Sequence, residues 1–346
     1  MAGFAPQQQG IFYLTEGGQE TEIQYRHGHD LPEFAMYPLL DDPAAMADLK
    51  AMYEAVLEVA ARHGFVAMLS GLDYRGSPDW GEKLGYSRDG LANALERSIA
   101  FLRDVAEPYR DRLPGLLIGG QVGPRGDAYA LNRTITAEEA EDYHAFQLEV
   151  LKRAGVNFVW AATFNGVPEA IGVARAAARI GLPLGISFML DGDHRLKSGV
   201  SLKDAIETVD AEAGSARPDY YGINCSHPIE FEPAFEAGNW ASRVRSLRPN
   251  ASARDKIELC SIGHLEEGDP VDLGDRIAAF AGRHPQVDIF GGCCGTWDKH
   301  LDQIAAASAK SGAKSGHSHE KGRPGRNRDA PLHRSAPMRA GIRTAC

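Results

Sequence analysis

The sequence predicts a (β/α)8 barrel followed by a disordered C-terminal tail. Three observations lead there. Short apolar runs recur eight times, amphipathic stretches recur eight times, and the two alternate strictly through the body of the chain. Strands covered on both faces by helices read as near-continuous apolar runs. Strict alternation builds βαβ units and a parallel sheet. Eight repeats within about 300 residues suit a closed barrel better than an open doubly wound sheet.

The elements follow in order. The run "IFYLT" (11–15) opens the barrel and leads to an amphipathic stretch at 43–62. "FVAMLSGL" (65–72) is followed by 89–107, and "GLLIGGQV" (115–122) by 136–154. "NFVWAAT" (157–163) precedes 166–180, and "LGISFML" (184–190) precedes 201–213. "YYGIN" (220–224) leads to 231–247, "KIELC" (256–260) to 272–283, and "VDIFGG" (287–292) to 298–309. From 311 to 346 the chain loses apolar periodicity and fills with Gly, Pro, Ser and Arg. Such a segment buries too little apolar surface to offset the entropy of ordering it. The expected division is therefore a barrel over 1–310 and a disordered basic tail over 311–346, with its histidines (His317, His319, His333) and Cys346 as incidental ligands.

Composition narrows the function. At 43% hydrophobic and 24% charged residues, the chain resembles ordinary globular proteins. The formal net charge is −10; the tail carries eight Lys/Arg against two Asp/Glu, which leaves about −16 on the body. That argues against a nucleic-acid surface, which needs a clustered basic face. No apolar run is long enough to span a bilayer. "MAGFAPQQQG" has neither the basic nor the apolar region of a secretory signal. Five cysteines without an export signal read as cytoplasmic thiols, free for metal or catalysis, rather than a disulfide framework. Oligomeric state is left open.

In such a barrel the chemistry sits at the C-terminal ends of the strands. Those ends read "TEGGQETE", "GLDYRGS", "GGQVGPRGD", "AATFNG", "FMLDGD", "INCSHP", "LCSIGH" and "GGCCGT". Cys225, Cys293 and Cys294 fall there on strands six and eight, and Cys260 is expected to end strand seven. Three thiolates converging at the mouth suit Zn²⁺, which takes N/S ligands and keeps one position open at catalytic sites. The bland alternative is that these are small buried hydrophobes; it fits Cys260 better than the Gly-Gly-Cys-Cys-Gly run. Zinc with three thiolates is a poor activator of water. It would hold a substrate thiol as thiolate and leave the sulfur electron-rich for attack on an onium methyl group.

With those residues in view, "YYGINCSHP" and "IFGGCCGTWDKHL" resemble the two zinc motifs of the homocysteine S-methyltransferase family. That family includes betaine- and S-methylmethionine-dependent enzymes and the homocysteine module of cobalamin-dependent methionine synthase. The resemblance spans roughly residues 11–305 and extends to "TEGGQETEI", "LDYRGS" and "VGPRGD". It implies a (β/α)8 barrel with Cys225, Cys293 and Cys294 as zinc ligands. It implies substrate contacts from Glu16, Gly17, Gly18, Tyr74 and Thr163, and no catalytic group beyond the zinc-bound substrate thiol. The partners it implies are a small thiol, by default homocysteine giving methionine, and a small onium methyl donor of the S-methylmethionine, S-adenosylmethionine or betaine type.

Two departures stand out. Glu16 occupies the place of the family's Asp before Gly-Gly. Ala162 occupies the place of a Glu that helps hold the substrate's amino group, with Thr163 following. A buried ammonium needs a charged partner. Glu16, Glu20, Glu22 and Asp73 are the candidates to supply it; otherwise the acceptor is a different thiol. A non-catalytic zinc- or thiol-binding barrel is the reading from another functional class. Tyr74, Trp160 and Trp297 are candidate faces for an onium group by cation–π attraction. His227, His264 and the "RHGHD" histidines (26–30) are expected to be hydrogen-bonded or solvated.

Overall fold

A computed structural model describes residues 3–130, 135–236 and 238–314; within it the side chains of 257, 260, 261 and 311–314 are not described. Eight parallel strands close into one barrel in chain order. They are β1 (Tyr13–Thr15), β2 (Val66–Leu69), β3 (Leu116–Val122), β4 (Phe158–Phe164), β5 (Leu184–Phe188), β6 (Tyr220–Asn224), β7 (Val244–Arg248) and β8 (Ile289–Phe290). Closure is made where Tyr13 and Leu14 of β1 pair with Ile289 and Phe290 of β8.

The helices are α1 (Gln19–Tyr25), α2 (Pro43–His63), α3 (Pro78–Lys83), α4 (Arg88–Ala106), α5 (Ala137–Arg153) and α6 (Val167–Ile180). They continue with α7 (Leu202–Ala213), α8 (Pro228–Phe231), α9 (Lys256–Ser261), α10 (Pro270–Arg283) and α11 (Asp298–Lys314). Several of the long ones begin at polar caps that satisfy otherwise orphaned backbone N–H groups. Asp42 accepts from Ala44 N, Ser87 from Gly90 N and Ser201 from Asp204 N. Thr136 and Glu139 form a reciprocal capping box on α5. None of the helices among the described residues is long and apolar enough to cross a membrane.

Side chains alternate across each strand, so every strand feeds two cores. Leu14, Ala67, Val159, Ile186 and Phe290 face outward, into the layer between sheet and helices. Tyr13, Val66, Met68, Phe158, Trp160, Ala162, Tyr220 and Ile289 fill the barrel's interior. The barrel interior is thus packed with side chains, and a cavity opens above its C-terminal rim.

Strand seven departs from the expectation. "KIELC" is not a strand; it forms the short α9 in a loop, and "VRSLR" at 244–248, expected to be the end of a helix at 231–247, is β7. The region before it holds the single turn of α8 and two 3-10 turns, Glu232–Ala234 and Asn239–Arg243. The reason is charge in a strand. Arg245 and Arg248 break the apolar pattern, yet both are buried and paired: Arg245 Nη2 lies 2.6 Å from Asp288 Oδ2, and Arg248 Nη2 lies 2.9 Å from Glu16 Oε1. Conversely, Lys256 of α9 is buried against Glu230 Oε1 at 2.7 Å. Cys260 therefore does not end a strand, and its side chain lies outside the described ones. At the other end, α11 runs to Lys314, past the expected boundary at 310; the rest of the expected tail, 315–346, lies outside the described residues.

Candidate active site

The loops after the strands surround a cavity of about 520 Å³, its solvent opening included, whose wall contains Cys225, Cys293 and Cys294. One ligand atom from each of these cysteines lies within 4.8 Å of the others, the only such cluster of three or more His, Cys, Asp or Glu groups among the described residues. Cys225 follows directly on β6; the vicinal pair follows β8.

The loop after β8 is held by backbone contacts on both sides. Cys293 N donates to Pro249 O at 2.8 Å, Gly292 N to Glu16 O at 3.1 Å and Gly18 N to Thr296 O at 2.9 Å. Glycine is required here for close approach. A Cβ on Gly18 would stand 2.4 Å from the carbonyl oxygen of Cys293, and one on Gly292 would stand 2.0 Å from Thr296 Oγ1. Only Gly295, just after the pair, needs the left-handed region, at φ 80°.

The other side of the cluster is strained. Thr163 and Cys225 carry φ of 62° and 51°, conformations that L residues rarely adopt and that a β-branched residue resists strongly. Asn224 holds both in place. Its Oδ1 accepts from Thr163 N at 2.8 Å, and its Nδ2 donates to Thr163 Oγ1 at 2.7 Å and to Cys225 Sγ at 3.4 Å. The same Nδ2 lies 3.9 Å from Cys293 Sγ, and Tyr129 Oη lies 3.9 Å from Cys294 Sγ. Sulfur atoms ringed by hydrogen-bonding groups suit thiolate ligands, whose outer partners orient them and stabilise their charge. The donor set therefore fits a thiophilic ion such as Zn²⁺.

Cys225 and Cys293 stand with their Cα atoms 5.3 Å apart and their sulfurs within bonding reach of each other, and Cys294 is free. The vicinal pair itself is not bridged. Sulfurs gathered closely enough to share an ion are also close enough to bond, so the ligand set is available only in the reduced chain. Burial, then the charge of Glu20, pushes the Cys294 thiol up to about 11.

Glu16, Gly17, Gly18, Tyr74 and Thr163 all line the cavity, as do Gln19, Glu20, Tyr129, Trp160 and Arg248. Their engagements differ. Glu16 accepts from Ser70 N at 3.1 Å and Ser70 Oγ at 2.8 Å besides pairing with Arg248. Glu22 is paired with Arg26, and burial pushes its carboxyl up to about 7. Asp73 is fully buried and accepts from Gln121 N at 3.1 Å. Glu20 remains open to the cavity, its carboxyl also pushed up to about 7 by burial. Ala162 is packed in the barrel interior and does not reach the cavity.

The aromatic candidates separate in the same way. The Arg248 guanidinium lies 3.7 Å from the centre of the Trp160 ring, and that of Arg26 lies 3.3 Å from Trp297, which is not in the cavity wall. Tyr74 lines the cavity, joined by Tyr129 and Phe34. Burial raises the Tyr74 phenol to about 12. The histidines are placed elsewhere: His227 caps α8, His264 is exposed, and His27 and His29 both face Asp48. Arg248, Gln19 and Tyr129 went unnoticed in the sequence. Arg248 was hidden by the misplaced strand; Gln19 opens the short α1 and Tyr129 lies in the loop after β3, with no pattern to mark either.

The homocysteine S-methyltransferase family model matches residues 13–308. Homocysteine S-methyltransferase 2 of Arabidopsis thaliana is 24% identical over 325 residues, covering 84% of this chain and 90% of its own length. Homocysteine S-methyltransferase 1 of Zea mays is 25% identical over 303 residues, covering 82% and 90%. The metallated form of the homocysteine methyltransferase MmuM from Escherichia coli superposes with a TM-score of 0.67 at 19% identity, covering 86% of this chain and 96% of that one. Its oxidized form superposes equally well. A closed eight-stranded barrel with a triad of cysteines at its mouth, matched nearly end to end by the family model, is a methyltransferase scaffold, and the chain belongs to the homocysteine S-methyltransferase family.

Proposed function

We propose that this protein is a zinc-dependent methyltransferase that moves a methyl group from a small onium donor to a thiol, by default homocysteine, giving methionine. The observation that carries the reading is the cluster of Cys225, Cys293 and Cys294 in the wall of the open cavity. Cys225, Cys293 and Cys294 would hold zinc, which would lower the pKa of a substrate thiol and so favour its nucleophilic thiolate form at neutral pH. The chain's own groups do the rest. Asn224 keeps Cys225 and Thr163 in their strained conformations, so the sulfurs stand preorganised. Tyr74, Tyr129 and Phe34 give the cavity apolar, electron-rich walls that suit an onium methyl group. The acidic body favours the approach of a cation. The need for reduced thiols is consistent with a reducing compartment such as the cytoplasm.

A different thiol acceptor is the second reading, because Ala162 carries no carboxylate and neither do Trp160 and Thr163, the β4 residues that line the cavity. Both readings meet one experiment. The reduced, zinc-loaded protein is incubated with a panel of thiols against S-methylmethionine, S-adenosylmethionine and betaine, and products are read by mass spectrometry. Methionine as the main product supports the first reading, and a different methylated thiol supports the second. Uptake of thiols with no methylated product from any pair would make the barrel a binding protein and overturn both.

A further inference from the structure

Four carboxylates stand near the mouth of the barrel, and three of them are already engaged. Glu16 is held by Arg248 and Ser70, Glu22 by Arg26, and Asp73 by the backbone of Gln121. Glu20 has no hydrogen bond or ion pair with another side chain among the described residues, and it lines the cavity. Beside it Gln19 is 2% exposed and lines the same cavity, with neither Nε2 nor Oε1 finding a partner.

The Glu20 carboxyl has a backbone hydrogen bond at Glu20 itself and feels the charges of Arg248 and Arg75 but has no side-chain partner, and leaving the buried Gln19 amide unsatisfied costs stability. Adjacent groups of this kind in one cavity are complementary to a ligand that carries a cation and further polar atoms. Glu20 is outside the set of groups that lie within 4.8 Å of one another, so its carboxylate is not a fourth ligand of the sulfur cluster. Gly18, just before the pair, packs against the Cys293 carbonyl, which sets the pair beside the cluster. A small amino-acid thiol with its sulfur at the cluster would carry its head group into this part of the cavity.

Resting on the thiol-methylation reading above, we propose that Glu20 recognises the ammonium group of the acceptor thiol, with the Gln19 amide as a second contact to its carboxylate. The first turn of α1 thereby supplies the carboxylate that position 162 does not. Glu20 binds and orients the acceptor; it takes no part in bond making.

The test is equilibrium binding by calorimetry to the reduced, zinc-loaded full-length protein. Three thiols are compared: homocysteine, 3-aminopropanethiol, which lacks the carboxylate, and 4-mercaptobutanoate, which lacks the amine. Glu20→Gln keeps the shape and removes the charge. It is expected to weaken both amine-bearing thiols on the order of ten- to a hundredfold, the usual worth of a hydrogen bond to a charged group, and to leave 4-mercaptobutanoate nearly unchanged. Gln19→Leu is expected to weaken 4-mercaptobutanoate and homocysteine, and 3-aminopropanethiol least. Because Glu20 has no side-chain partner to lose, Glu20→Gln should unfold at least as late as the wild type, which separates a binding effect from a folding defect. Unchanged homocysteine affinity in Glu20→Gln, or a loss confined to the onium donor, would overturn the proposal. So would a wild type that binds all three thiols equally. If the wild type binds none of them, the thiol reading falls first and this one falls with it.

Discussion

Arg248 Nη2 lies 2.9 Å from Glu16 Oε1, with the two side chains only 4% and 1% exposed, and this ion pair ties the end of β7 to the end of β1 beneath the cysteine cluster. The same guanidinium donates to Gly292 O and Glu16 O at 3.2 Å and covers the Trp160 ring. Glu16 is therefore a structural anion whose charge is already spent. Glu16→Gln should destabilise the fold by about 3 kcal/mol, the lower end of what breaking a buried pair costs, since Arg248 keeps its two carbonyl acceptors. Thermal or denaturant unfolding reads this directly, and Glu16→Gln combined with Arg248→Met should recover much of the loss. Unchanged stability in Glu16→Gln would show the pair to be dispensable.

Gly18→Ala tests the seam between the first and last strands. The new Cβ would stand 2.4 Å from the Cys293 carbonyl oxygen and 2.8 Å from its carbon, backbone atoms that have no rotamer to change. Gly18 has an ordinary φ of −82°, so the effect is contact and not backbone strain. Zinc retention should fall, with a stability loss of about 1–3 kcal/mol from overpacking. Wild-type zinc content in this variant would mean that the loop after β8 is looser than the packing requires.

His227 gives a pH signature. It caps α8 through Nδ1, which accepts from Ile229 N, and burial pulls its pKa from 6.5 down to about 4. The fold therefore resists its protonation while the unfolded chain takes up the proton, so stability present above pH 6.5 is lost as pH falls toward 4. Glu20, Glu22 and Asp73, all pushed up to about 7, act in the opposite direction between their ordinary values and 7. Comparison with His227→Asn isolates the histidine, since Asn caps well and does not titrate. The melting temperature of the variant should gain on that of the wild type as pH drops from 7 to 4; a constant difference would contradict the assignment.

Removal of residues 315–346 should leave stability and zinc binding intact. Every strand and core cluster described for this protein lies within residues 3–314, and the composition of the removed segment gives it little apolar surface to bury. A melting temperature lowered by several degrees would show that the segment packs on the barrel.

Much of this was legible in the sequence because the barrel's signal is apolar repetition. Seven of the eight strands were found that way, and the Cys-Cys run marked the rim. The eighth strand, β7, was not, because Arg245, Ser246 and Arg248 erase the apolar run; their partners Asp288 and Glu16 lie far away in the chain. The same blindness to distant partners hid which carboxylate at the mouth is free. In the linear chain Glu16, Glu20, Glu22 and Asp73 look alike, and only folding assigns Arg248, Arg26 and Gln121 to three of them. Nor could spacing show that Gly18 and Gly292 are there to make room rather than to turn the chain.

The central claim is that Cys225, Cys293 and Cys294 together hold zinc, and elemental analysis of the metal tests it most directly. The reduced wild type should carry about one zinc per chain. Cys225→Ser, Cys293→Ser and Cys294→Ser should each be depleted, and Cys260→Ser should not. Oxidation that joins Cys225 to Cys293 should release the metal, and reduction should restore uptake. A reduced wild type that takes up no zinc, or a Cys293→Ser variant that retains it fully, would contradict the account.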